Sequence, residues 1–273
     1  MRRPSFFAGV ITGVVAISSC SAEVPSVPPS AALPPRAAID YQLGGPYDPP
    51  DSVQIVVRDR TAQPAEGAYS ICYVNAFQTQ PGEQSDWPAS TTLSRSGAPV
   101  IDPAWPDEVI LDTSTADKRA LIAQTVAPWI RGCAASGFRA VEFDNLDTFT
   151  RTDGAMSFDD NAALARVLVD LAHSSGLAAG QKNAAEFAAA LKDAAGFDFA
   201  VAEECAAFAE CDAYTGVYGD QVIDIEYADR LPRTFADVCA DAATPASTVL
   251  RDRKLSTPTD PDYVFAACAD RSG

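Results

Sequence analysis

Arg139-Ala-Val-Glu-Phe-Asp-Asn-Leu-Asp147 runs an apolar strand pattern straight into a group of acidic and amide side chains. Successive side chains of a strand point to opposite faces, so Ala140, Glu142 and Asp144 share one face while Val141 and Phe143 share the other. If the apolar face packs against helices, the acidic face looks into the middle of the fold. The C-terminal end of the strand then presents Asp144, Asn145 and Asp147, at the level where a (β/α)8 barrel keeps its chemistry. The plain alternative is an Asp/Asn-rich turn following a strand.

On either side of this stretch, strand-like and helix-like segments alternate, the pattern of a parallel sheet with helical crossovers. Strands are expected at 40–43, 53–57, 69–75, 109–111, 139–144, 177–182, 197–203, 222–227 and 247–251, which is nine candidates for eight places. Ser157 and Asp160 form a capping-box pattern, after which Leu164, Val167, Leu168, Leu171 and Ala172 recur at helical spacing up to Ser175-Gly176. Asn183 is placed to cap a helix over 184–195 that Gly196 ends, and a helix over 116–135 contains Pro128. The expected architecture is a single α/β domain, a (β/α)8 TIM barrel over residues 39–273.

One segment interrupts the alternation. Residues 76–108 are rich in Gln, Ser, Pro and Asp, and a connection of that length in a compact domain is usually functional or mobile. In a barrel it lies over the mouth. Its Trp87 and Trp105 are candidates either for stacking on a sugar ring or for anchoring the loop.

The amino terminus reads as targeting. Arg2 and Arg3 precede an apolar run, Phe6 to Ile17, too short for an ordinary membrane span. Ile17-Ser-Ser-Cys20 resembles a bacterial lipobox with Cys20 as the lipidated residue, although Cys20-Ser-Ala22 also has the small-residue form of an ordinary cleavage site. Residues 1–20 are therefore a signal peptide with a lipobox-like end. Residues 21–38, with five prolines, form an extended tether. The expected location is the outer face of a bacterial cell membrane, held there by the lipid, or the medium.

Removing residues 1–20 moves the net charge from −17 to −19. Such an acidic surface argues against nucleic acid as a partner and suits a cationic substrate. Setting Cys20 aside leaves six cysteines, an even number suggesting disulfides in an exported chain. Cys205 and Cys211 are spaced to staple a short loop, and Cys239 with Cys268 to pin the tail. Cys72 and Cys133 remain as a third pair or as buried thiols.

The only histidine, His173, lies nine residues after Leu164, half a turn from the apolar stripe, and is expected to face water. That argues against a Ser-His-Asp hydrolase and against imidazole metal sites. No Gly-rich phosphate loop is visible, so no cofactor or metal is expected. What remains is carboxylate chemistry. Lys182-Asn183, Glu203-Glu204 and Asp224-Ile-Glu226-Tyr227 each close a strand and are expected at the level of Asp144. Acids beside a lysine can have their pKa values driven apart, which suits a pair acting on a glycosidic bond. The plain alternative is a salt-bridged barrel core around Lys182.

The series Tyr41-Gln-Leu, Cys72-Tyr, Glu142-Phe-Asp-Asn-Leu-Asp147, Lys182-Asn, Ala200-Val-Ala-Glu-Glu-Cys205 with Cys211, and Ile225-Glu-Tyr227 resembles the endo-α-1,4-polygalactosaminidase family, glycoside hydrolase family 114. The resemblance extends in order from about Tyr41 to Pro258. It implies a (β/α)8 barrel that cleaves α-1,4-linked galactosamine polymers, with Asp144 and Glu203 as the catalytic pair. It also implies that Glu142, Asn145, Asp147, Lys182, Asn183, Glu226 and Tyr227 line or orient the pocket, with Tyr41, Gln42, Tyr73 and Asp112 among the substrate-binding positions. This chain departs from the family pattern at Phe77, Gln80, Ser114, Phe143 and Ala202.

Two other readings stand beside the expected exported, monomeric endo-glycosidase for an amino-sugar polysaccharide. One is a catalytically silent carbohydrate-binding lipoprotein. The other is a glycosidase for another linkage, since a barrel does not fix the reaction.

Overall fold

The computed structural model describes Met1 and residues 32–268; the expected signal peptide, Cys20 and most of the tether lie outside the described residues. Eight strands run parallel in chain order: β1 (Ile39–Tyr41), β2 (Ile55–Asp59), β3 (Tyr69–Asn75), β4 (Ala140–Asp144), β5 (Ala178–Lys182), β6 (Phe199–Glu203), β7 (Val222–Tyr227) and β8 (Ser247–Arg251). A ninth, β9 (Phe265–Ala267), pairs antiparallel with β8. At the seam, the fully buried Arg251 donates to Asp40 Oδ1 at 3.0 Å, Ser256 O at 2.7 Å and the Tyr41 carbonyl. That side chain does what a ladder of β1 to β8 would otherwise do. The fold is a (β/α)8 barrel.

The helices are α1 (Ala116–Ser136), α2 (Phe158–Ser174), α3 (Ala188–Ala195), α4 (Cys205–Phe208), α5 (Cys211–Tyr218) and α6 (Phe235–Ala240). The crossovers from β1 to β2 and from β2 to β3 contain no helix. α2 starts at the expected capping box: Asp160 N–H donates to Ser157 Oγ at 3.3 Å, and Ser157 N–H to Asp160 Oδ2 at 2.9 Å. Its packed stripe is Leu164, Ala165, Leu168, Val169 and Ala172, whereas Val167 turns to solvent.

Strand alternation divides the core in two. Tyr41, Val57, Ala140, Val201, Ile223, Ile225 and Val249 fill the barrel interior, and Val74, Val141, Phe143, Ala179, Ala200 and Ala202 pack outward against the helices. Gly180 is required inside, because a Cβ there would lie 2.4 Å from the Phe199 ring. Disulfides Cys72–Cys133, Cys205–Cys211 and Cys239–Cys268 staple β3 to α1, close the loop after β6, and join α6 to the end of β9.

Three expectations change. Residues 109–111 are not a barrel strand. Val109 ends a small hairpin, and Ile110 and Leu111 bridge to Gln78 and Thr92 inside the long insertion, which accounts for the ninth candidate. Asn183 does not cap a helix: it and Ala184 take positive φ, and a short 3-10 turn precedes α3. His173 is half-buried and lies 2.8 Å from Asp198 Oδ2, which also accepts the Ala179 N–H at the N-terminal end of β5. It is thus paired rather than free in water, on the side of the sheet away from the strand C-termini.

Candidate active site

Parity along the strands decides which side chains meet. Tyr41, Tyr73, Glu142, Asp144, Lys182, Glu203 and Tyr227 all sit on inward positions, and their polar ends converge at the C-terminal end of the barrel. Lys182, only 2% exposed, is the hub. Its Nζ lies 3.6 Å from Asp144 Oδ2 and 3.4 Å from Glu203 Oε2, and it donates to Tyr41 Oη at 2.9 Å. The two carboxylates therefore face each other across one ammonium, no further apart than the sum of those two ion-pair distances.

Glu142 lies one layer below. It accepts the Tyr41 hydroxyl at 2.5 Å, is 4.0 Å from Lys182, and is wholly buried. Burial pushes its carboxyl up to about 7 against the pull of Lys182 and Tyr41. Glu142 thus forms the floor of the site. Burial acts in the same direction on Glu203, but Lys182, the Tyr227 hydroxyl and Asn183 outweigh it and hold that carboxyl below its ordinary value. Lys182 itself is raised well above its ordinary value, as Asp144, Glu203 and Glu142 overcome its burial.

Asp144 accepts the Tyr73 hydroxyl at 2.8 Å and the Asn145 backbone N–H at 2.7 Å. Asn145, with φ +65°, turns the chain out of β4, and Asn183, with φ +51°, does so after β5. Left-handed backbone is more accessible to Asn than to most residues. Asp147 lies at the rim, paired with Arg151 at 2.9 Å.

Above this floor opens a cleft of about 770 Å³. Tyr73, Asp144, Asn145, Asp147, Lys182, Asn183, Glu203 and Tyr227 line its base. Its walls include Trp105, one of the two stacking candidates, and residues that the sequence had not singled out. Asp102, Trp105 and Glu108 come from the hairpin of the insertion, Arg151 from the turn after β4, and Arg253 from beyond β8. The length and polarity of 76–108 were the signal for the first three; Arg151 and Arg253 had none beyond their nearness to strand ends. Arg253 stacks 4.4 Å over the Tyr227 ring and pairs with Glu204 at 2.9 Å, making a fixed wall beside Glu203.

Several expected positions lie elsewhere. Glu226 is next to the inward Tyr227 and so faces outward, where its Oε1 accepts Ala206 N–H at 2.7 Å at the start of α4. Asp224 faces the same way and accepts Cys205 N–H at 3.2 Å. Burial pushes both carboxyls up. Gln42 belongs to a buried network, donating to Asp40 at 2.8 Å and accepting from Arg58 at 2.9 Å. Asp112 holds Ser114 and Lys118 at the start of α1. Trp87 is an anchor, packed edge-on against Trp129 with ring centroids 5.3 Å apart, while Trp105 is 58% exposed at the cleft.

A ring of inward acids and tyrosines around a buried lysine, beneath an open cleft, is a site shaped for sugar chemistry. The model of one family, glycoside-hydrolase family GH114, matches residues 21–273. The chain belongs to family GH114. It is a glycoside hydrolase.

Solved structures agree on the fold of this GH114 barrel. The crystal structure of Aspergillus fumigatus Ega3 in complex with galactosamine superposes with a TM-score of 0.69 at 21% identity, covering 88% of this chain and 97% of that one. A variant of the glycoside hydrolase domain of PelA from Pseudomonas aeruginosa gives a TM-score of 0.52 at 15% identity, covering 84% and 98%. No curated protein matches the sequence.

Of the departures from the family pattern, Phe77, Phe143 and Ala202 are buried in the outer core, and Ser114 bonds to Asp112. Only Gln80 reaches the cleft, where it donates to Asp59 at 3.0 Å. The substitutions therefore leave the acids and their lysine untouched.

Proposed function

We propose that this GH114 hydrolase is exported and cleaves α-1,4-linked galactosamine-containing polysaccharide within the chain, using Asp144 and Glu203 as its acid pair. The observation that carries the reading is their common approach to Lys182 at the base of an open cleft. In such a pair, one carboxyl protonates the glycosidic oxygen while the other attacks the sugar or activates water. Tyr73 orients Asp144, and Tyr227 with Asn183 orients Glu203. Lys182 balances the charge of the two acids from below.

The net charge of −19 left after removal of residues 1–20 draws a partly deacetylated, cationic polymer toward the cleft, an effect that salt screens. The lipobox-like segment ending at Cys20 supports tethering to the outer face of a bacterial membrane, with the monomer reaching substrate from its proline-rich tether. Mass spectrometry of the mature N-terminus tests this: a diacylated Cys20 supports tethering, and an unmodified start further along the chain rejects it.

Catalysis is tested by incubating partly deacetylated α-1,4-galactosaminogalactan with wild type, Asp144→Asn and Glu203→Gln, and sizing the products by mass spectrometry. Short oligomers from wild type, with rates at least about 10³-fold lower in both folded variants, are expected. Binding without cleavage by wild type would instead favour a silent carbohydrate-binding protein.

A further inference from the structure

The hairpin of the insertion, Ile101–Asp102 paired with Trp105–Val109, reaches over the ends of β3 and β4. Thr79 N–H donates to the Val109 carbonyl at 2.9 Å, and Gln78 bridges antiparallel to Ile110, so Glu108 stands across from Gln80 on the cleft wall. Asn75, the register partner of Asp144, donates its Nδ2 to Glu108 Oε2 at 3.1 Å and fixes the carboxylate beside the catalytic acids.

The acids of the cleft differ in what balances them. Asp144 and Glu203 share Lys182, Asp102 and Asp147 share Arg151, Glu204 has Arg253, and Asp59 has no ion pair but accepts from Thr61 and Gln80. Among the described residues, no lysine or arginine lies within ion-pair distance of Glu108. Burial and the neighbouring Asp144 push its carboxyl up to about 7. The Asn75 hydrogen bond and, from beyond ion-pair distance, Arg151 oppose this, and a half-buried carboxylate with no cation in contact gains most from one that arrives with the ligand. On the same hairpin, Trp105 offers an exposed ring to the same cleft, the kind of face on which a sugar ring stacks.

We propose that Glu108 and Trp105 form a specificity station for a protonated amino sugar beside the cleaved unit, Glu108 receiving the ammonium group and Trp105 the ring face. This rests on the glycosidase reading above and adds to it the residue that distinguishes an amine from an acetamide. An acetamide carries no charge for Glu108, so an N-acetylated unit gains only from the stacking.

The test is calorimetric binding of α-1,4-linked galactosamine oligomers and of their fully N-acetylated counterparts to wild type, Glu108→Gln and Trp105→Ala. Glu108→Gln, which retains an acceptor for Asn75, is expected to weaken the amine oligomer about tenfold and to leave the acetylated one within about twofold. Trp105→Ala is expected to weaken both. Equal losses for the two oligomers in Glu108→Gln, unchanged affinities in either variant, or no binding of the amine oligomer to wild type overturns the station. Turnover by wild type is measured alongside. Discrimination without turnover removes the glycosidase reading and keeps the station, while turnover with no effect of Glu108→Gln does the reverse.

Discussion

Asn183 holds Glu203 at two points: its Nδ2 donates to Oε2 at 2.8 Å, and its Oδ1 accepts the Glu203 backbone N–H at 2.9 Å. The residue that leaves β5 therefore fixes both the position and the ionisation of the acid that ends β6. Its φ of +51° makes it a position where most replacements would strain the backbone.

Asp is the substitution that keeps the shape of Asn183 and tolerates that backbone. Asn183→Asp places a second carboxylate against Glu203, and two acids in contact cannot both ionise freely. The acid limb of the pH profile of kcat/KM is expected to move up by about one unit or more, with the unfolding midpoint within a few degrees of wild type. A profile that superimposes on wild type would show that Asn183 does not set the state of Glu203.

Lys182→Met tests the hub. The three acids around it, Glu142, Asp144 and Glu203, would lose their shared cation within a buried setting, a change that costs about 3–5 kcal/mol. Without Lys182, burial acts on Glu142 and Glu203 with less to oppose it, and their folded-state pKa values rise. The acids then contribute stability only while protonated, and it is lost as pH rises through the raised values. The deficit in thermal midpoint relative to wild type should thus be larger at pH 8 than at pH 5. A deficit independent of pH would mean that Lys182 acts through packing alone.

Glu142 gives a pH dependence in the wild type. Its folded value of about 7 lies above the ordinary glutamate value of 4.5, so the folded state binds the proton more tightly between those values. Its contribution is full below about 4.5 and is lost as pH rises through about 7. Glu142→Gln keeps an acceptor for Tyr41 and has no proton to lose. The midpoint of the variant minus that of wild type should increase from pH 5 to pH 8. A constant difference would place the ionisation of Glu142 outside the balance of folding.

How far these residues were legible in the sequence depends on strand parity. In β4 the apolar pair Val141 and Phe143 belongs to the helix side, so the inward placement of Glu142 and Asp144 could be read directly. β7 shows why the same rule fails elsewhere. Both faces of a barrel strand are buried, and alternation says that Asp224 and Glu226 share a face without saying which. Here the outward face meets the start of α4, whose free backbone N–H groups the two acids accept, while Ile223, Ile225 and Tyr227 fill the interior. The walls were less legible still: Glu108 reaches the cleft only because the insertion folds back on Thr79, a pairing of distant segments with no local pattern.

Glu226 and Tyr227 are neighbours whose substitutions should therefore separate cleanly. Glu226→Ala removes the acceptor for the Ala206 and Ala207 N–H groups beneath α4 and leaves buried donors unpaired, at a cost of about 1–3 kcal/mol. Its effect is expected in thermal unfolding, with catalysis changed only as far as the loop after Glu203 loosens. Tyr227→Phe keeps the ring that packs inside the barrel and under Arg253, but removes the hydroxyl that donates to Glu203. That hydroxyl helps to hold the Glu203 carboxyl down, so its loss should raise the acid limb of the rate profile and lower kcat by about 10- to 100-fold, with a small stability change. Measuring unfolding and pH–rate profiles for both variants decides the matter: if Glu226→Ala impairs turnover in a fully stable protein while Tyr227→Phe merely destabilises, the inward and outward faces of β7 are assigned the wrong way round.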